Sequence, residues 1–150
     1  SYNEWYCNTK NMWNQFWILQ QCEKRVQESG INYDVVVRSR HDIMANVTFD
    51  LDKAKLYLDA NPRQLVIPTS RGGGNFNDQF AIGLPAAIHD YCQAIDHFDR
   101  CYTEKGTLWN PEWLMAQALR DFGLSWGEYN FNVFGRWGDP NAPTDFGRWA

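Results

Sequence analysis

Apolar residues recur at helical spacing over four parts of the chain. The first part, Asn8–Glu28, has one apolar face, and Gly30 ends the predicted helix. The same pattern predicts three more helices, over residues 50–60, 85–102 and 110–122. Pro85 and Pro111 stand in the first turn of the last two, where a missing amide hydrogen breaks no helical hydrogen bond.

Shorter apolar runs between these helices predict strands. Residues 33–38 are β-branched and apolar without alternation, which is typical of a strand buried on both faces of a parallel sheet. Residues 65–67 and 80–83 are similar, whereas residues 129–133 alternate and indicate a half-exposed strand near a sheet edge. Because helices and strands alternate, we predict an α/β fold with an open, mostly parallel sheet and helices on both faces.

Length and charge limit the classes of function. The 150 residues predict one α/β domain over residues 1–137 and an irregular Gly- and Pro-containing tail over residues 138–150. The net charge is −4 and no basic run exceeds Lys24-Arg25, so we expect no nucleic-acid partner. No apolar stretch approaches the roughly 18 residues of a membrane helix, so we expect no membrane span.

Cysteine and tryptophan usage adds two expectations. The four cysteines lack the spacing of zinc or redox sites, which favours a reducing compartment, and we expect a cytoplasmic location. Aromatic residues make up 16% of the chain, and tryptophans gather towards both ends. These Trp-rich ends fit a docking surface in a homo- or hetero-oligomer: Trp5, Trp13, Trp17, Trp126, Trp137 and Trp149.

The segment after the first predicted strand is the first candidate for chemistry, because ligands of open α/β sheets bind beyond the carboxyl ends of strands. Arg38 and Arg40 could clamp a diphosphate with paired hydrogen bonds, and Asp42 could hold a divalent cation. Alternatively, both arginines pair with nearby acids and Asp42 caps a turn. His41 is expected to be simply solvated.

The second candidate is Asn75–Phe80, which follows the glycine run Gly72–Gly74. The carboxylate of Asp78 beside the amide of Asn77 suits a general base or the orientation of a hydroxyl-rich substrate. The glycines, among them Gly73 and Gly74, could then close over the ligand. Alternatively, Asn77 and Asp78 form a turn before the strand and the glycines are a flexible connection.

Other acids and histidines have simpler interpretations. Asp50 and Asp52 form a D-x-D sequence, but they precede a helical pattern and are predicted to belong to its acidic first turn. Glu112 is either a first-turn helix acid or a functional group. His89 and His97 are expected to be structural.

Four blocks of sequence, taken in order, resemble a known family. They are Tyr33–Asp42, Val66–Pro68, Asn77–Gly83 and Asn110–Leu114. Their pattern, YDxxxRxRxD, then a short strand ending in Pro, NDQFxxG and PExL, is similar to that of glycosyltransferases from bacterial capsule and lipopolysaccharide clusters and from large DNA viruses. The resemblance spans about residues 12 to 124.

The resemblance implies a GT-A type enzyme that moves a sugar from a nucleotide-diphosphate donor to a saccharide acceptor in surface-glycan synthesis. The Asp-Gln pair is similar to that of retaining GT-A enzymes, in which the acid approaches the transferred sugar. The implied roles are catalysis by Asp78 and Gln79, diphosphate binding by Arg38 and Arg40, substrate binding by Asn77, Gly73, Gly74 and Glu112, and Mn²⁺ or Mg²⁺ binding by Asp42.

The chain departs from the family pattern in two ways. R-x-R-x-D replaces the D-x-D of most GT-A enzymes, which questions metal dependence. A standard GT-A domain also has nucleotide-binding units upstream of the first block, so the chain corresponds to the carboxyl-terminal part of such a domain or has a reduced donor site. The alternative is a non-catalytic glycan-binding or structural module with a GT-A-derived fold.

Overall fold

The computed structural model describes residues 9–40, 43–45, 48–69, 76–129 and 133–135. Within these ranges the chain forms helices and short strands, with β1 and β2, β3 and β4, and α3 to α5 following one another directly, so the expected strict alternation is not observed. The helices are α1 (Thr9–Glu28), α2 (Leu51–Ala60), α3 (Pro85–Gln93), α4 (Phe98–Thr103) and α5 (Pro111–Asp121), with a 3₁₀ turn, Ala94–His97, between α3 and α4. The strands are β1 (Val36–Ser39), β2 (Ile43–Ala45), β3 (Gln64–Pro68), β4 (Phe80–Gly83), β5 (Ser125–Tyr129) and β6 (Val133–Gly135).

The helix ends follow local sequence signals, as predicted. Asp50 Oδ1 accepts a hydrogen bond of 3.0 Å from the amide of Lys53 and so caps α2. Asn110 caps α5 by accepting from the amides of Glu112 and Trp113. The D-x-D acids therefore begin a helix, and the interpretation of Asp50 as a capping residue is confirmed.

The main sheet is mixed, and the prediction of a mostly parallel sheet is wrong. Its strand order is β1-β4-β3-β5; β4 runs antiparallel to both neighbours, and β3 and β5 are parallel. The reason lies in the segment between β3 and β4, residues 69–79, which is shorter than the dozen or more residues of a parallel crossover. Strands β2 and β6 form a separate antiparallel pair.

Strand β1 lies at the edge of the main sheet and is not buried on both faces, so that prediction is also wrong. It pairs with β4 alone among the described strands. Val37 is 44% exposed, whereas Arg38, the next residue, is only 6% exposed. Arg38 therefore points inward and Val37 outward, the reverse of the usual arrangement for these two residue types, whereas Val36 packs against the larger core.

Helices cover both faces of the main sheet, as expected. On one face, Leu65, Ile67 and Ala81 join the larger core with buried residues of α1, α3, α4 and α5. On the other face, Val66, Phe80 and Ile82 pack with Leu58 of α2. Because side chains alternate along a strand, β3 contributes to both cores. No described helix is long and apolar enough to span a membrane.

Candidate functional site

The pairing of β1 with β4 joins the first two candidate segments. Arg38 lies opposite Ala81 and Ser39 opposite Phe80. One step further, the amide of Arg40 donates a hydrogen bond of 3.3 Å to the carbonyl of Gln79. Residues 38–40 therefore lie beside the turn that contains Asp78, although 40 positions separate Arg38 and Asp78 in the sequence.

Arg38 holds this turn from the inside of the protein. Its Nη1 donates a hydrogen bond to the main-chain carbonyl of Asp78, and the hydroxyl of Tyr91 donates to the same oxygen over 3.3 Å. The guanidinium carbon lies 5.8 Å from the centroid of the Tyr91 ring, within the range of a cation–π interaction. Arg38 Nε is buried and has no hydrogen-bond partner in the described part of the chain. A buried cation is thus held by one carbonyl and one ring.

The carboxylate of Asp78 is almost completely buried, at 8% exposure. Its Oδ2 accepts a hydrogen bond of 3.2 Å from Gln15 Nε2, which comes from α1. Asn77 Oδ1 accepts from the amide of Gln79 over 3.0 Å, so Asn77 forms the turn that leads into β4. The alternative interpretation, in which Asn77 and Asp78 form a turn before the strand, is confirmed, and that turn fixes the position of the Asp78 carboxylate.

Glu112 brings a second carboxyl group close enough to interact with Asp78. It lies in the first turn of α5 and is half-buried. Burial raises its pKa above the ordinary value, and the negative charge of Asp78 raises the pKa further. Hydrogen bonds from Asn110 and the backbone lower it in part. Glu112 therefore holds its proton more tightly than a glutamate in water does.

The arrangement combines three groups with different chemical capacities. Asp78 offers a fixed, buried carboxylate, and Glu112 offers a carboxyl group with raised pKa, which suits proton donation or a hydrogen bond to a hydroxyl group. Arg38 adds positive charge beside the Asp78 main chain. Perturbed acids of this kind are frequent at sites that bind or transform substrates.

Several predicted site residues lie outside the described part of the chain. They are Asp42 and the glycines Gly73 and Gly74, together with His41. Asp42 is the residue that the family resemblance implies for Mn²⁺ or Mg²⁺. Asp78, Glu112 and Asn77 offer the oxygen donors that these ions prefer. However, no group of three His, Cys, Asp or Glu residues within the described ranges is arranged to hold a metal ion. Metal binding therefore stays a prediction.

Gln15 and Tyr91 belong to the site, but sequence reasoning missed them. Gln15 precedes the buried Phe16 in α1, and Tyr91 precedes the buried Cys92 in α3. The available signal was a hydrogen-bonding group on a face that must be buried, since such a group needs a partner. Tyr91 is fully buried, which raises its pKa.

The predicted Trp-rich ends are only partly described. Trp13 and Trp126 are half-buried and pack against the larger core, so neither is free for docking. Trp126 contacts Phe76 edge to face, with ring centroids 5.0 Å apart. Trp17 is 56% exposed on α1. Trp5, Trp137 and Trp149 lie outside the described residues.

No protein-family model, curated protein or solved structure matches the chain. Function therefore has to be inferred from the geometry of the site. That geometry is a junction of two antiparallel strands at which Arg38 and Asp78 come together from distant parts of the sequence, and the charge of Asp78 also raises the pKa of Glu112.

Proposed function

We propose that this chain carries the catalytic side of a glycosyltransferase that moves a sugar from a nucleotide-diphosphate donor to a saccharide acceptor. The observation that supports the proposal most is the β1–β4 junction, where the Arg38 guanidinium contacts the main-chain carbonyl of the buried Asp78. Three of the four sequence blocks that resemble glycosyltransferases supply Arg38, Asp78 and Glu112.

The residue types match the charges of the reaction. In glycosyl transfer, positive charge develops on the sugar ring and negative charge on the departing diphosphate. A preorganised carboxylate stabilises the first and a guanidinium the second, and such groups act most strongly where water is excluded. Asp78 is buried and oriented by Gln15, which favours a role on the sugar.

The proposed roles follow from the contacts of each residue. Asp78 approaches the sugar, and Gln79, next to it in the turn, orients a hydroxyl group. Arg38 holds the main chain of Asp78 and is therefore a positioning residue. Arg40, half-buried at the end of β1, contacts the diphosphate. Glu112 keeps its proton longer than an ordinary glutamate and donates a hydrogen bond to the substrate.

A donor-turnover assay tests the proposal. The protein is incubated with UDP-glucose, UDP-galactose, UDP-N-acetylglucosamine and GDP-mannose, each with MgCl₂ or MnCl₂, and release of nucleoside diphosphate is measured. We expect turnover of at least one donor, reduced on the order of 100-fold or more by Asp78→Asn. Asp52→Asn, an exposed acid in the first turn of α2, is the matched control and should leave the rate unchanged.

Two outcomes would refute the catalytic proposal. One is that no donor is bound or hydrolysed by the protein under any of these conditions. The other is that Asp78→Asn turns over donors at the wild-type rate. Circular dichroism of each variant shows whether a lost rate reflects lost chemistry or lost folding.

A non-catalytic glycan-binding or structural module is the second candidate, and one observation favours it. Arg38 and Asp78 are both more than nine-tenths buried and satisfy part of their hydrogen bonding within the protein. Such a pair can serve folding alone. A stable assembly that ignores nucleotide sugars in size-exclusion chromatography would favour this candidate, and a monomer that binds a donor would contradict it.

A further inference from the structure

A cleft lies beside the β1–β4 junction. It has a volume of about 550 Å³ and is formed by the carboxyl-terminal half of α1, the edge strand β1 and the first turns of α3. This volume lies in the range of small-ligand sites. Arg38 lines the cleft and also contacts Asp78, so one side chain joins the cleft to the candidate site.

A buried carboxylate is the most unusual group in this cleft. Glu23 is only 9% exposed, and its Oε1 lies 3.0 Å from His89 Nδ1. Its second oxygen, Oε2, makes no hydrogen bond to any residue within the described ranges. Glu23 Oε2 is not among the fully buried unpartnered side-chain atoms of the described residues, so it stays accessible and can accept a hydrogen bond from water or from a ligand.

His89 and Gln27 extend this polar group. Gln27 Nε2 lies 2.8 Å from the same His89 Nδ1 that contacts Glu23. One ring nitrogen cannot donate to Glu23 and accept from Gln27 at the same time. Only one of Gln27 Nε2 and Glu23 Oε1 therefore forms a hydrogen bond with this nitrogen, and the other can form one with a ligand. The cleft thus presents a carboxylate, an imidazole and a carboxamide at one place.

The rest of the cleft is mainly apolar and partly exposed. Ile31 is 59% exposed and Tyr33 40% exposed, and both line the cleft with Val37. Buried Cys92 also lines it, and its pKa is raised to about 12, mainly by burial and then by the charge of Glu23. An aromatic ring and aliphatic side chains beside a small polar group are a typical lining for a small-molecule site.

We propose that this cleft binds a neutral ligand rich in hydroxyl groups, such as a monosaccharide unit. Hydroxyl groups donate to Glu23 Oε2 and exchange hydrogen bonds with His89 and Gln27, while the C–H face of the ring packs on Tyr33. The assignment of this ligand as the acceptor rests on the proposed transferase function. Binding of the ligand itself does not depend on that function.

Saturation-transfer NMR with simple glycosides tests this site. The probes are methyl α-mannopyranoside, methyl β-galactopyranoside and N-acetylglucosamine, each titrated into the full chain. We expect ring-proton signals from at least one probe, and an affinity lowered about tenfold or more by Glu23→Gln, because a hydrogen bond to a charged group is lost. Glu28→Gln, on the same helix but outside the cleft, is the matched control and should bind as the wild type does.

Because Glu23 is buried, its replacement could also disturb folding, and a second variant at an exposed residue of the same cleft separates the two effects. Gln27 is exposed, so Gln27→Ala removes its amide without opening the core, and it should also weaken binding. The inference is overturned if no glycoside binds the wild type, or if Glu23→Gln and Gln27→Ala both bind with wild-type affinity. It is also overturned if cationic glucosamine binds while its neutral N-acetyl form does not.

The two proposals can fail separately. Asp78→Asn should abolish donor turnover and leave glycoside binding unchanged, since Asp78 does not line the cleft. If Asp78→Asn retains turnover while Glu23→Gln loses glycoside binding, the catalytic assignment fails and the cleft assignment stands. If turnover depends on Asp78 but no glycoside binds, the cleft assignment fails alone.

Discussion

At the scale of single residues, several positions that face the protein interior, where apolar side chains are usual, hold polar side chains. Arg38 lies inside an edge strand, Gln15 and Glu23 lie on the inner side of α1, and Tyr91 is fully buried in α3. Each departure from the apolar pattern requires a specific partner, because an unsatisfied buried polar group is destabilising by about 1–3 kcal/mol. These departures therefore mark both candidate sites.

The raised pKa of Glu112 makes a prediction about pH and stability. Its pKa in the folded protein lies above the ordinary value of 4.5, so the unfolded chain releases the proton at lower pH than the folded chain. Ionising Glu112 in the folded protein therefore lowers the free energy of unfolding of the wild type. This loss is absent well below the ordinary pKa and grows as the pH rises through it. Glu112→Gln cannot titrate. Its stability relative to the wild type should therefore rise between about pH 3 and about pH 7.

Urea unfolding of both proteins across this pH range measures the difference. The helix amino terminus of α5 favours a negative charge by about 0.3–1 kcal/mol, an effect of the opposite sign. If the relative stability of Glu112→Gln falls as pH rises, that effect is larger and the buried-carboxyl account of Glu112 is contradicted.

Cysteine reactivity makes a second prediction at this scale. Cys22 is exposed, whereas Cys92 and Cys101 are buried, and burial raises the pKa of both buried thiols. The thiolate is the reactive form, so the buried cysteines should resist alkylation. Peptide mass spectrometry after N-ethylmaleimide treatment should find Cys22 modified and the other two protected until denaturant is added. Modification of Cys92 at the rate of Cys22 would show that the larger core opens readily.

At the scale of elements, strand β4 is the central support of the fold. It pairs with β1 on one side and β3 on the other, and its four residues are all buried. Gly83 ends the strand, where a Cβ atom would lie 2.8 Å from Leu65 Cδ2 and 3.1 Å from Ile88 Cγ1. Both neighbours are buried in the larger core and have little room to move.

Gly83→Ala should therefore destabilise the protein by about 1–3 kcal/mol, the usual cost of overpacking a core. Gly127→Ala in β5 is the matched control, because its Cβ would meet only the hydroxyl end of the exposed Tyr57 side chain, 3.1 Å away. Since replacing a strand glycine reduces the entropy of the unfolded chain, the control should cost less than about 1 kcal/mol or be neutral. Equal urea midpoints for Gly83→Ala and wild type would contradict the packing account.

Most helices were predictable from sequence, but the 3₁₀ turn that interrupts the predicted helix 85–102, the presence of β2, the start of β5 at Ser125 and the strand directions were not. Helix ends depend on local signals, such as the caps at Asp50 and Asn110, and these are visible in the sequence. The direction of β4 depends on how the chain crosses the sheet, and the only local indication was the short connection over residues 69–79. The mainly apolar run 33–38 predicted a central strand. That prediction failed because the residue pattern alone does not show that Arg38, rather than Val37, faces the core.

At the scale of the whole molecule, the sheet separates two cores and gathers the candidate sites at one strand junction. The larger core lies under α1, α3, α4 and α5, and the smaller one under α2. Arg38 contacts Asp78 and lines the cleft between α1, β1 and α3. The sequence could nominate Arg38 and Asp78, because charged residues at strand ends are conspicuous. It could not show the contacts of Gln15 and Tyr91 with Asp78, which only the packing of α1 and α3 against the sheet creates.

A crystal structure of the protein soaked with the donor that it turns over tests the central claim most directly. The distance to measure joins the anomeric carbon of the bound sugar and the nearer carboxylate oxygen of Asp78. Our account predicts a distance of about 3.5 Å or less, as reacting groups require. A donor bound elsewhere, with the Asp78 carboxylate still against Gln15 and no sugar atom beside it, would contradict the account.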